Sequence, residues 1–206
     1  KETICMRRID QETAMAKNAW FFASFNELEQ LYYTIRRMCE PAYEHVDNNF
    51  TPLPEKYILD FRPQRDALED CIADFRELSA TGDFEALRNL EPKLRRLQTV
   101  FSDMRKELMD DIQAKQVNIN TAYLYLNVLQ ESESMAITLS RLIRSSRKCF
   151  CQYLNAFSTR SCSELDIPYR LATFLHSATM LFICFTISKA LSFLIPRYGA
   201  IDNARS

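Results

Sequence analysis

Glycine is almost missing. The chain of 206 residues holds two, Gly82 and Gly199, where an average domain of this length holds about 14. Glycine supplies positive φ and close backbone approach. Without it there is no GxGxxG turn, no Walker-type phosphate cradle and no GxSxG nucleophile elbow. Hairpin turns of the Asn-Gly or Asp-Gly type are missing too. Histidine is equally scarce, with only His45 and His176. The seven cysteines form no CxxC pair and neither histidine stands near two of them, which argues against zinc and for reduced thiols in a cytoplasmic setting. The formal net charge is −1, so the composition carries no nucleic-acid footprint. No signal peptide opens the chain, and a first residue of Lys1 reads as a piece of a longer reading frame.

What remains is helical. The segment from Lys1 to about Ala23 has a patchy apolar face. Ser24 and Glu27 then have capping-box spacing, which predicts a new helix start or a kink. Phe25, Leu28, Leu31, Tyr32, Ile35 and Met38 come next as one stripe, and Pro41 predicts a bend or an end. TPLPEK is a connection. Ile58, Phe61, Leu68, Ile72, Phe75 and Leu78 mark the next helix. Pro63 inside it places its start nearer Asp60 than Pro54, and Gly82 should close it. Asp83 can cap the helix after it. Leu87, Leu90, Leu94, Leu97, Phe101, Met104 and Leu108 alternate by three and four, a coiled-coil-like seam. No proline or glycine occurs from Lys93 to Ile167, and the apolar pattern resumes with Tyr123, Leu126, Leu139, Leu142, Ile143 and Phe150. One very long helix is expected, or two nearly collinear ones hinged near Asn118 to Asn120. The fold class is therefore all-α, an antiparallel bundle of long helices over residues 1–157.

Residues 158–206 differ in character. A loop, STRSCSELDIP, precedes a 25-residue apolar stretch at 171–195, broken by His176 and Lys189 and bracketed by Arg170 and Arg197. Residues 1–148 hold 21 Lys/Arg and 24 Asp/Glu, whereas residues 149–206 hold 5 and 3. A helix of that length reaches about 38 Å, enough to cross a hydrocarbon core of about 30 Å. The readings are a separate apolar helix that spans or meets a membrane, a buried bundle helix, or a tail translated out of frame.

Three charge constellations are candidates for function. Asp66, Asp70 and Asp74, with Glu69 beside them, stack on one helix face. Their mutual repulsion calls for a divalent metal or for basic residues on a facing helix; the plain alternative is a solvated face. Asp103, Glu107, Asp110 and Asp111 form a second acidic patch. Arg141, Arg144 and Arg147, with Lys148, line the last helix and suit an anion or a lipid headgroup, or pairing with an acidic helix. His45, within EPAYEHVDNNF, has no nucleophile near it in sequence. It reads as a hydrogen-bonding residue at a helix end, with Asp47, Asn48 and Asn49 meeting the last backbone groups. Trp20, Phe21, Phe22 and Phe25 form an aromatic cluster that suits a core or a docking surface.

Two phrases carry a resemblance. NAWFFASFNELEQLYYTIRRMCEPAYEHVDNNFTPLP and AYLYLNVLQESESMAITLSRLIRSSRKCF resemble the opening and closing segments of the cytoplasmic C-terminal region of Pit-type inorganic phosphate transporters of the Bacteroidetes kind. The match covers about residues 10–150, and nothing after about Tyr153 resembles the family. The resemblance implies a PhoU-like bundle below a sodium- or proton-coupled permease in the same polypeptide, on the cytoplasmic face of the inner membrane. Such a domain would regulate or stabilise the transporter and catalyse nothing. PhoU-like bundles hold metal on spaced carboxylates, a role that would fall here on Asp66, Asp70 and Asp74. The alternative is a membrane-anchored helical adaptor whose seam from Leu87 to Leu108 pairs with another chain, or with a second copy as a homodimer.

Overall fold

The computed structural model describes the backbone of residues 2–48 and 51–157, and the side chains of residues 19, 22–48 and 51–148. These residues form α1 (Glu2–Asp47), α2 (Glu55–Thr81), a 3-10 turn (Ala86–Asn89), α3 (Leu90–Gln113) and α4 (Ile119–Phe157), with no strand among them. The loop at 158–170 and the apolar stretch at 171–195 lie outside the described residues. Among those described, no helix is long and apolar enough to cross a membrane.

The first helix overrides two of its local signals. Ser24 does not start a new helix. It lies within α1, buried, and its hydroxyl donates across to Ser145 Oγ at 3.1 Å. Pro41 does not end α1 either, since the helix runs on to Asp47. An internal proline costs about 3 kcal/mol. Met38 before it and His45 after it are both buried, so packing on either side holds the helix through the defect. Its end is closed by Asn48, whose backbone N–H (3.0 Å) and Nδ2 (2.7 Å) both donate to the Glu44 carbonyl.

The second helix begins at Glu55 and not near Asp60. The Pro54 carbonyl accepts the N–H groups of Tyr57 (3.1 Å) and Ile58 (3.4 Å). Pro63 is tolerated because it sits with Leu59 on the exposed face, where the carbonyl it leaves unpaired can be hydrated. At the other end the expected glycine stop is present. Gly82 has φ 76°, and the N–H groups of Gly82 and Asp83 both reach the Leu78 carbonyl, the latter at 2.9 Å. Asp83 then accepts the Ala86 N–H on Oδ1 at 3.0 Å, capping the 3-10 turn.

The long continuous helix expected after Lys93 is instead two antiparallel helices. The chain reverses over residues 114–118. Gln116 N–H bonds to the Asp111 carbonyl at 3.0 Å with Lys115 at φ 55°, a closure of the same type as at Gly82 but built on a lysine. Asn118 Oδ1 then accepts the Asn120 N–H at 2.9 Å and starts α4. Ion pairs fix the direction. Glu91 of α3 meets Arg147 of α4, and Arg105 meets Glu133, so residue numbers rise in one helix as they fall in the other. The same holds for α1 on α4 (Ser24 with Ser145, Arg37 with Glu131) and for α2 on α3 (Lys56 with Asp111, Asp74 with Lys93). The helices run up, down, up, down, and α4 lies between α1 and α3.

Core packing matches the predicted stripes in part: in α1 Leu28, Leu31, Ile35 and Met38 are buried but Phe25 and Tyr32 are exposed, and in α2 Phe61, Leu68, Ile72 and Phe75 are buried while Ile58 and Leu78 are half-buried. Leu87, Leu90, Leu94, Leu97, Phe101 and Leu108 are buried and Met104 is half-buried. The seam is consumed within the bundle, which removes the free surface that pairing with another chain would need. In α4 the inward register is Ala122, Tyr125 and Leu129; Tyr123 is exposed and Leu126 only half-buried. The clamp of Tyr125 between Tyr57 (centroids 4.7 Å apart) and Phe61 (6.4 Å) fixes that register.

Two substitutions test the helix stops in opposite directions. Gly82→Ala meets no atom within 4 Å of the new Cβ, so only the positive φ opposes it, and stability should fall by about 1 kcal/mol. Lys115→Gly relieves the same strain and should raise stability by about 1 kcal/mol. Urea unfolding monitored by circular dichroism measures both. Leu94→Ala, at a fully buried seam position, should cost about 2–5 kcal/mol in the same assay.

Candidate functional site

Polar chemistry concentrates where α1 meets α4. Arg37 donates from Nε to Glu131 Oε1 and from a terminal nitrogen to Oε2, both at 3.0 Å. A two-pronged guanidinium–carboxylate pair fixes orientation as well as distance. Glu131 is enclosed, with a 7% exposed side chain, whereas half of Arg37 reaches solvent. The guanidinium also donates to Thr34 Oγ1 at 3.2 Å, and Thr34 donates to the Gln30 carbonyl at 2.9 Å. One residue along in each helix, Ser132 Oγ lies 3.9 Å from the Met38 sulfur. Further along, Ser24 donates to Ser145, which donates to the Leu142 carbonyl at 3.0 Å.

At the far end of this seam is His45, buried, with Nε2 2.9 Å from the Thr51 carbonyl. A carbonyl only accepts, so Nε2 carries the proton. Thr121 Oγ1 donates to the same carbonyl at 3.3 Å. The histidine thus ties the end of α1 and the proline loop to the start of α4, the helix-end role read from EPAYEHVDNNF. Next to it, Asp111 accepts from Lys56 Nζ at 2.9 Å and from Tyr57 Oη at 2.8 Å, joining the start of α2 to the end of α3. Those two donors hold the Asp111 carboxyl below its ordinary range. Burial, then the Asp111 hydrogen bond, pushes the Tyr57 phenol up to about 12. Burial likewise raises Tyr125, aided by the nearby Asp60.

The candidate metal residues are not gathered. Asp66 pairs with its neighbour Arg65, and Asp74 with Lys93 of α3 at 3.1 Å. Among the described residues no three His, Cys, Asp or Glu side chains are placed to hold a metal ion. Basic partners therefore provide compensation for two of the three aspartates; Asp70 stands exposed on the same helix. In the second acidic patch, Asp103 pairs with Lys106 at 2.8 Å.

The arginine stripe is divided. Arg147 turns towards α3 and the 3-10 turn, reaching Glu85 at 3.3 Å and Glu91 at 3.7 Å. Arg141, Arg144 and Lys148 stay exposed. Arg144 Nε donates to the Ser140 carbonyl at 3.2 Å. Arg141 and Arg144 face Glu27, whose carboxyl burial pushes up and these two arginines pull back. Of the aromatic cluster, Phe22 and Phe25 are exposed, and the side chains of Trp20 and Phe21 lie outside the described residues. Cys39 and Cys71 are free thiols raised by burial, hence protonated and weakly nucleophilic.

Sequence reasoning passed over the Arg37–Glu131 pair. Its signal was a glutamate flanked by Leu129 and Met135 within an apolar face; a charge at a core position calls for a buried partner.

Arg37→Ala leaves Glu131 enclosed without its partner and should cost about 2 kcal/mol, measured by urea unfolding. Glu131→Gln in the Arg37→Ala background should restore part of it. For pH, the depressed Asp111 contributes stability above its unfolded value of about 3.9, lost as pH falls through the folded value. The raised Tyr57 contributes below about 10, its unfolded value, and loses that contribution as pH climbs towards 12. Asp111→Asn should flatten the acid limb of a stability–pH profile, and Tyr57→Phe the alkaline limb.

A scan against protein-family models, a search of curated proteins and a search of solved structures each found no match to this chain.

Proposed function

We propose that the chain is the regulatory and structural helical domain of an inorganic phosphate transporter, joined to its permease within one polypeptide at the cytoplasmic face of the bacterial inner membrane. One observation supports this reading above others. The two phrases that resemble the transporter family form α1 with its exit loop, and α4. Those are the two helices that meet along the polar seam. From the first phrase, Arg37 contacts Glu131 of the second, and Thr51, whose carbonyl also meets His45, accepts from Thr121 just before the second. Residues that look like family markers are thus the ones that orient the helices, as expected of a likeness in architecture.

In this reading the domain performs no reaction. His45 spends its Nε2 proton on the Thr51 carbonyl, and the exposed Arg141 and Arg144 remain the part of the basic stripe available to an anion or headgroup.

Sequencing the source DNA on both sides of the reading frame tests the proposal. An in-frame run of several transmembrane helices upstream is the expected result. A start codon immediately upstream, with no such run, would overturn it.

A further inference from the structure

The first helix carries a second seam. Positions 22, 25, 29, 32, 36, 39, 43 and 46 recur by alternating three and four, so they share one face of α1, which runs unbroken from Glu2 to Asp47. Phe22, Phe25, Tyr32, Tyr43 and Val46 hold five of the eight, each 49–66% exposed. Exposed Glu29 and Arg36 and half-buried Cys39 hold the rest. From position 25 onward, each follows by one residue a buried or half-buried residue of the inward stripe between Ser24 and His45. The second seam therefore lies about 100° round the helix from the first. Among the described helices only α4 brings Cα atoms within 8 Å of α1, and it takes the inward stripe. Apolar side chains scattered singly need no explanation, but a continuous aromatic stripe on one helix face marks an interaction surface.

The layout of this seam fits a second copy of itself. In an antiparallel pair with a twofold axis at position 34, the eight positions match one to one. Phe22 meets Val46, Phe25 meets Tyr43, Glu29 meets Cys39 and Tyr32 meets Arg36. Symmetry makes each pairing twice. A guanidinium over a phenol ring is attractive, and Glu29 stands one layer from the Arg36 of the other copy. A parallel pair in register would set Glu29 against Glu29 and Arg36 against Arg36, which repel. The area suffices as well. Five half-exposed side chains at about 100 Å² each offer about 500 Å² per copy, and a pair then buries about 1,000 Å², the lower bound of a specific interface. We infer that the chain forms a homodimer in which α1 packs antiparallel on α1 of a second copy through this outer seam. The seam from Leu87 to Leu108, buried inside each bundle, takes no part. The inference stands without the transporter reading. Within that reading, a twofold axis along the membrane normal is perpendicular to the paired helices, so the bundle lies with its long axis along the membrane.

The test uses the full chain in two measurements. Sedimentation equilibrium should show a dimer at micromolar concentration. Phe25→Glu plus Tyr43→Glu should raise the dissociation constant at least about tenfold, while Met109→Glu, at an exposed position on α3, should leave it unchanged. The second measurement places a photo-cross-linking residue on the seam, Phe25→p-benzoylphenylalanine, a change that keeps the ring and so the fold. Irradiation should give a covalent dimer whose cross-link maps by mass spectrometry to the region of Tyr43. A monomeric full chain would overturn the inference, as would a dimer indifferent to the double variant. Cross-links to residue 25 of the other copy would overturn the antiparallel arrangement. Cross-links to residues 171–195, or to lipid when vesicles are present, would give the seam a different occupant and overturn the inference too. The DNA test and this one fail separately: a dimer can form with no permease upstream, and a permease can be present on a monomer.

Discussion

The last helix has to satisfy two neighbours at once, and most of the structure derives from that. With α1 on one flank and α3 on the other, α4 buries Ala122, Leu129, Met135, Leu139, Leu142 and Ile143 together with Thr121, Ser132, Ser140, Ser145 and Ser146. A helix buried on two sides cannot be a narrow leucine stripe with a polar back. Its serines and threonines serve as small fillers that let neighbours approach, provided their hydroxyls find partners. Ser145 does so through Ser24 and the Leu142 carbonyl, and Thr121 through Thr51, whereas Ser146 Oγ is buried without one. The Arg37–Glu131 pair belongs to the same solution. Apolar contact alone tolerates sliding by a turn, whereas a two-pronged ion pair fits at one register.

The elements whose cause is local were legible in the sequence. Seam positions from Leu87 to Leu108 bury as their spacing requires, apart from half-buried Met104, and Gly82 stops α2; Asp83 closes the 3-10 turn and not the start of α3. Readings failed where tertiary contact overrode a local cue. The helix end read at Pro41 and the helix start read at Ser24 are absent, and α1 passes through both because its buried face is held on either side. The α3–α4 reversal failed for the converse reason. It is made by Lys115 in a conformation normally left to glycine; Asn118 and Asn120 marked a hinge there, but no residue type announced that the chain turns back. The missed register of α4 has the same origin, since Tyr123 and Leu126 extend a pattern that restarts independently after the turn.

The candidate site was legible in part. His45 has the helix-end role that its neighbours suggested, because an Asp/Asn-rich exit after a proline reports on unmet backbone groups. The carboxylate stripe could not be resolved by spacing alone. Asp74 finds Lys93 on another helix, and no one-dimensional pattern contains that pairing. For the arginine stripe, a step of three residues drifts by about 60° per step around a helix, enough to carry Arg147 to the α3 side while Arg141 stays in the open.

The seam that orients the bundle joins the first helix to the last. Ser24 and Ser145 are separated by 121 positions, Arg37 and Glu131 by 94. A ribosome adding about 5–20 residues per second makes α1 and then spends about 5–20 s on the rest before its partner exists. Through that interval Leu28, Leu31, Ile35 and Met38 have no α4 to cover them, while the α2–α3 hairpin can already close on its own nearer contacts. The order of synthesis thus differs from the order of assembly: the segment made first is the last to be buried, and for those seconds it is the part of the nascent chain most exposed to chaperones, proteases and its own neighbours.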